Sequence, residues 1–213
     1  MKKRNFTLVE LLVVIGILAI LASLIIPAVI GAKQQGRITQ ARADMSSLRT
    51  AFEGMAKDYN GRMVKKDGSD YKLGNHSLEK SSSDSGCVTI DETSATDRYC
   101  DAIAELSDPS NTDLTVSLNK RKIKYLDPRP EYDPSKSPTN DDNKANTWLD
   151  PWGNPYRIRI NFDGTEKITD PSDASKKLSG RIILWSLGPD GGSGTNDKDK
   201  DNIPSWKDGN WFD

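Results

Sequence analysis

The chain has 213 residues, 30 Lys and Arg against 31 Asp and Glu, and 35% hydrophobic residues, with a mean hydropathy of -0.66, the averages of a polar soluble domain. Those averages hide a segregation, because about 20 of the 25 residues from Phe6 to Ile30 are apolar and the remainder of the chain is correspondingly polar. A single long apolar stretch excludes a multi-span membrane protein, and a net charge of -1 excludes a strongly basic nucleic-acid binder, so no nucleic acid is expected on the head.

The charges are as unevenly placed. Lys2, Lys3 and Arg4 precede the apolar stretch, Glu10 lies inside it, the segment 33–62 carries a net +3, and 63–213 carries a net -6. Leu11 to Ile30 is an uncharged run of 20 residues, long enough as a helix to cross the hydrocarbon core. The basic residues before it predict a single pass with the N-terminus in the cytoplasm and Lys33 onward across the membrane. A cleaved secretory signal fits less well, since its apolar core is shorter and an A-x-A site follows it. Two residues are unusual for a plain anchor. Glu10 is a carboxylate in an apolar setting, where a charge needs a partner, and Pro27 removes a helical hydrogen bond, marking Gly16–Pro27 as the place for a bend or an unwound turn.

Beyond the membrane run the pattern becomes one-sided. Ile38, Ala41, Met45, Leu48, Phe52, Met55 and Tyr59 recur at spacings of three and four, which predicts an amphipathic helix to about Tyr59. Asn60-Gly61 is a C-terminal stop, because both residues accept the left-handed conformation.

Residues 61–147 are rich in Ser, Asp, Asn, Lys and Pro and read as variable and loop-rich. Within them a short helix is predicted at Asp97–Leu106, and Lys122–Leu126 is a short strand or a turn. Cys87 and Cys100 are the only cysteines, and on the outer side of the membrane a disulfide between them is expected. Two cysteines and the lone His76 do not make a structural zinc set, and His76 reads as a surface loop residue. With one histidine no nucleophile-base-acid set can be assembled, so the chain is not expected to be an enzyme.

The C-terminal third is more legible. Pro155–Ile160 alternates as a half-buried strand, Arg181–Leu187 reads as a more apolar, central strand, and the two should pair antiparallel around a long loop at 162–180. Trp148, Trp152 and Trp185 are expected to pack this sheet onto the stem helix. Asp190, Asp197, Asp199 and Asp201 then fall within 12 residues, among glycines that allow a tight wrap, and clustered carboxylates suit a calcium ion with its six to eight oxygen ligands. The spacing of Asp197, Asp199 and Asp201 imitates the start of an EF-hand loop, but Asn202 replaces the usual Gly and Pro204 opposes an exit helix.

The N-terminus, Lys2-Lys3-Arg4-Asn5 followed by Phe6-Thr7-Leu8-Val9-Glu10-Leu11-Leu12-Val13-Val14, resembles that of a type IV pilin or a type II secretion pseudopilin. Asp150-Pro151-Trp152-Gly153-Asn154-Pro155-Tyr156 and Trp185-Ser186-Leu187-Gly188-Pro189-Asp190-Gly191-Gly192-Ser193-Gly194 resemble the head of the major pseudopilin. The resemblance covers about 1–60 and 148–203. It implies a prepilin leader at 1–5 cut between Asn5 and Phe6 by a prepilin peptidase, with N-methylation of Phe6. Asn5 departs from the Gly that the family carries before the cut. The resemblance also gives Glu10 a partner, the amine of Phe6 on a neighbouring subunit, and makes Pro27 the helix-bending proline. It implies calcium ligands from the Leu187 carbonyl and the side chains of Asp190, Asp197 and Asp199, with Asp201 as an alternative.

The expected fold is α+β and pilin-like: a membrane and filament-core helix at 6–32, an amphipathic stem at 33–60, the variable region at 61–147, and an antiparallel sheet with a calcium loop at 148–213. The expected protein is an inner-membrane subunit with a periplasmic head, assembled into a helical homopolymer with an assembly platform and minor pseudopilins, most nearly the major pseudopilin of type II secretion. The alternatives are a type IV pilus major pilin and a signal-anchored calcium-binding monomer.

Overall fold

The computed structural model describes residues 8–73, 76–81, 84–90, 96–107, 117–127, 148–165, 167–192 and 201–206. It divides into two compact units, Met1–Thr39 and Gln40–Asp213. The 51-residue helix α1, Leu8–Asp58, contributes to both and runs through Gly16 and Pro27 without a break. The unwound turn expected there is absent, since the other carbonyls and amides of the helix keep their register around one missing donor.

Helix α1 ends as its sequence requires. Asn60 and Gly61 have φ of 54° and 78°, the Gly61 N–H returns to the Ala56 carbonyl at 2.7 Å, and Arg181 donates a hydrogen bond to the freed Gly61 carbonyl. Its buried stripe is Ala41, Asp44, Met45, Leu48, Ala51, Phe52, Met55 and Ala56, the face that the three-four spacing predicts.

The second unit is built on a sheet of seven strands in the order β1-β2-β3-β4-β5-β8-β9. These are β1 Lys65–Asp67, β2 Asp70–Leu73, β3 His76–Ser81, β4 Asp84–Ile90, β5 Arg157–Asn161, β8 Ile182–Ser186 and β9 Ile203–Pro204; β6 Lys167–Asp170 and β7 Asp173–Ser179 form a separate hairpin. Every pair is antiparallel. The two predicted strands are β5 and β8, with Ile158 opposite Leu184 and Ile160 opposite Ile182. Helix α2 is Thr96–Ser107, one residue longer at each end than predicted.

Sheet alternation sorts the core into two faces. Val88, Ile90, Ile158, Ile160, Ile182 and Leu184 share one face through the β4-β5-β8 register and are all buried. Tyr156, in phase with them, donates its hydroxyl hydrogen to Asp44 Oδ2 on α1 at 2.8 Å, so this face meets the stem. The opposite face carries Cys87, Ile183 and Trp185, which cluster with Ile168 and Leu187, and with Leu178 of the β6–β7 hairpin and Trp206 packed against them. Among the described residues this cluster has no member from α1, so Trp185 packs against the hairpin side rather than joining sheet to stem as expected.

Three other expectations change. The stretch 61–90 holds four strands that extend the sheet, and His76 lies at the start of β3 rather than in a loop. The segment 162–180 contains a hairpin. Residues 122–126 are irregular, tied by Tyr125 and Leu126 N–H bonds to the Leu106 carbonyl at 2.9 and 3.0 Å.

Candidate functional site

The first candidate surface is the apolar half of α1. From Leu8 to Ile30 every large apolar side chain is exposed, between 47% for Val14 and 79% for Leu8. The helix is long and apolar enough to cross a bilayer core, and so large a contiguous apolar surface marks a membrane or protein interaction site. Glu10 lies on α1 and is exposed. Asn5 and Phe6, the predicted cleavage site, lie outside the described residues.

The second candidate is the base of the acidic loop. Leu187, whose carbonyl is a predicted ligand, is 1% exposed and closes β8. Asp190 is exposed, and its Oδ1 accepts the Gly192 N–H at 2.8 Å. Asp197 and Asp199 lie outside the described residues. The two ends of the loop meet: a Cβ on Gly188, which has φ of 70°, would stand 2.6 Å from the Asp201 carbonyl oxygen. Only glycine fits there, for its dihedral and for the space it leaves. Among the described residues no group of three or more His, Cys, Asp or Glu side chains is placed to hold a metal. Of the expected ligand set the described residues hold the Leu187 carbonyl and the carboxylates of Asp190 and Asp201, hard oxygens of the kind calcium takes.

Beneath this loop lies a buried network whose role sequence reading missed. Asp150 is 4% exposed. Its Oδ1 accepts the N–H groups of Trp152 and Asn154 at 3.0 and 2.8 Å, and its Oδ2 accepts the Ser186 hydroxyl at 2.6 Å. The Ser186 oxygen in turn accepts the Gly188 N–H at 3.1 Å, and Asn154 Nδ2 donates to the Gly188 carbonyl at 3.0 Å. Burial pushes the Asp150 carboxyl above its ordinary range, against the opposing hydrogen bonds from Ser186, Asn154, Trp152 and Gly153. The sequence signal was the Asp-Pro-Trp-Gly-Asn-Pro run, a turn motif with an acceptor at its head.

A second polar lock, also missed, holds the far end of the stem. Asn119 donates to the carbonyls of Glu105 and Ile123 at 3.0 and 2.7 Å and accepts the Tyr59 hydroxyl at 3.1 Å. The Glu105 carboxylate accepts Ser117 Oγ–H and the Asn119 N–H, both at 2.7 Å. Through Tyr59, just past the end of α1, this lock ties α2 to the stem.

Cys87 is a buried, free thiol in the structure. Burial pushes it up to about 12, with the Asp84 carboxylate adding to the shift. The side chain of Cys100 lies outside the described residues, and with it the predicted disulfide.

Comparison with known proteins agrees with the N-terminal and the whole-chain reading. Residues 1–26 match the family described as the prokaryotic N-terminal methylation motif. Over 205 residues the chain is 26% identical to the type II secretion system core protein G of Pseudomonas aeruginosa, covering 96% of each chain. It is 26% identical to the protein of the same name from Escherichia coli, covering 96% of this chain and 92% of the other. The core protein G of Pectobacterium carotovorum is 41% identical over 59 residues, 28% of this chain and 38% of its own. No solved structure matches the chain. With a methylation-type N-terminus, a 51-residue helix whose first half is apolar all round, and an antiparallel sheet on its second half, the chain is similar in N-terminal motif, and at 26% identity over nearly its whole length, to type II secretion core proteins G.

Proposed function

We propose that the chain polymerises into the pseudopilus of a type II secretion system. The observation that carries this is the exposed apolar half of α1 behind a methylation motif. Before assembly a bilayer covers that surface, with the N-terminus cytoplasmic and the head periplasmic; after assembly the same surface is covered by neighbouring copies. Burial favours each Val, Leu or Ile side chain taken wholly from water by about 1.5–3 kcal/mol, which is ample for a polymer core. The prepilin peptidase cuts between Asn5 and Phe6, and the new Phe6 amine pairs with Glu10 of the next subunit. An unpaired carboxylate at bilayer depth costs on the order of 2.5–3.5 kcal/mol, so this pair fixes axial register. Minor pseudopilins and the inner-membrane platform are the expected partners, and the role is structural rather than catalytic.

Calcium is proposed as a structural ion at the acidic loop, held by the Leu187 carbonyl and by Asp190, Asp197 and Asp199, with Asp201 as an alternative donor. It would neutralise clustered carboxylates in a segment with few apolar anchors.

The test is Glu10→Ala in the native host, read as sheared filament yield and as exoprotein activity in the medium. Loss of both, with the protein still in the membrane, is expected. Normal secretion in a strain lacking the chain would refute the secretion role, and loss of surface motility alone would select the pilus alternative.

A further inference from the structure

The hydrogen bonds beneath the acidic loop have a directional consequence. The Leu187 carbonyl and the Gly188 N–H belong to one peptide unit, which is planar and trans, so fixing the N–H fixes the direction of the carbonyl oxygen. The N–H is fixed by the Ser186 oxygen at 3.1 Å. Ser186 is fully buried, and its hydroxyl proton is committed to Asp150 Oδ2 at 2.6 Å, which leaves the oxygen lone pairs facing the amide. The next peptide is held from the other side, since Asn154 Nδ2 donates to the Gly188 carbonyl at 3.0 Å. Asn154 is itself anchored, because its N–H donates to Asp150 Oδ1 at 2.8 Å and its carbonyl accepts the Asp150 N–H at 2.8 Å. Both peptide groups of Gly188 therefore trace back to one buried carboxylate.

We propose that Asp150 is a positioning residue for the loop: acting through Ser186 and Asn154, it sets the Leu187–Gly188 peptide plane and so aims the Leu187 carbonyl before any cation arrives. The inference rests on the calcium reading above for its consequence, and on the peptide geometry alone for its cause. A carbonyl free to rotate must be ordered by the ion, which costs affinity, whereas an aimed one does not.

The experiment uses the full chain in detergent micelles, with calcium chloride as the only added ligand. Amide exchange at Gly188 and Asn154 is measured in EDTA, and the calcium midpoint is measured by calorimetry well below the melting temperature. Ser186→Ala is expected to speed Gly188 exchange and to raise the calcium midpoint about tenfold. Asp150→Ala should do the same and also speed exchange at Asn154. Asp150→Asn keeps an oxygen for the Trp152 and Asn154 amides but sets an NH2, which cannot accept, against the Ser186 hydroxyl, so exchange at Asn154 should stay slow while Gly188 exchange and the midpoint move as in Ser186→Ala. A purely structural role would lower the melting temperature in EDTA and leave the midpoint unmoved. Should Asp150→Ala fail to fold, Ser186→Ala decides, since it removes one oxygen from a site where alanine fits. Unchanged Gly188 exchange, or a midpoint within twofold of the parent, overturns the proposal. If the parent chain binds no calcium, the calcium reading falls, and exchange in EDTA alone then supports or overturns the positioning role.

Discussion

Tyr156→Phe isolates the contact between sheet and stem. Tyr156 is 0% exposed and Asp44 is 8% exposed, and the hydroxyl reaches the carboxylate at 2.8 Å. A hydrogen bond to a charged group is worth about 1.5–3 kcal/mol, and the substitution removes no carbon, so no cavity of any size adds to it. For a folded unit of this size 1 kcal/mol moves the melting temperature by about 2–4 °C, so the variant should melt about 3–12 °C lower by tryptophan fluorescence. Tyr125→Phe is the control. Its hydroxyl donates to Asp58 Oδ2 at a shorter 2.6 Å, but in an exposed setting, where water replaces the lost partner, and the loss should stay below about 1 kcal/mol. Burial, not bond length, is expected to decide which variant suffers. An Asp44→Ala, Tyr156→Phe cycle should show coupling of about 1 kcal/mol or more. A Tyr156→Phe chain that melts within 1 °C of the parent, or strict additivity in the cycle, would refute the reasoning.

Two further outcomes concern titration. Asp84 Oδ2 accepts the Thr169 N–H and hydroxyl and the Lys177 ammonium, each at 3.1 Å. Burial raises its carboxyl, but these partners outweigh it and hold the group below its ordinary 3.8. A carboxyl lowered in the folded state contributes stability that is present above its unfolded value and lost as pH falls through the folded one. Asp84→Asn should therefore melt below the parent at pH 7, and the gap should close as pH drops below about 4; a gap independent of pH in melting scans would contradict this. Cys87, pushed up to about 12 by burial, should resist a thiol-specific reagent at pH 8 in the folded chain and react only after denaturation. Rapid labelling of the native chain, located by peptide mass spectrometry, would show that the thiol is not where the structure puts it.

Legibility followed the strength of the local signal. The stem and its stop were readable because a stripe at 3.6-residue period and an Asn-Gly cap are properties of the segment itself. Strands β5 and β8 were readable because both lie inside the sheet and carry Ile and Trp. By contrast β1, β2 and β7 are written in Lys, Asp and Ser, and only their pairing makes them strands. Tertiary partners supply what composition lacks: across the β1–β2 pair Lys72 reaches Asp67 at 2.7 Å, and Tyr71 stacks on Phe162, just past the end of β5, with ring centroids 3.8 Å apart. Trp185 was assigned to the wrong face because alternation gives the two sides of a strand without saying which one meets the helix. Asp150 stood in a quoted motif, but its purpose depends on Ser186, 36 positions away, and no local pattern carries that pairing.

The polar composition of the head then has a structural reading. Where an ordinary domain of this size would close its periphery with apolar side chains, this one uses buried or part-buried acceptors that each gather several donors: Asp150 at the acidic loop, part-buried Asp84 at the β6–β7 hairpin, and Glu105 with Asn119 at the end of the stem. Such locks are directional and fail abruptly when one member is removed, because the remaining buried groups lose their partners together. For the filament subunit proposed above that is an advantage. Among the described residues the exposed large apolar side chains all lie from Leu8 to Ile30, so the surface that favours hydrophobic association is on the helix, while the described head is closed in part by hydrogen bonds that do not make it sticky.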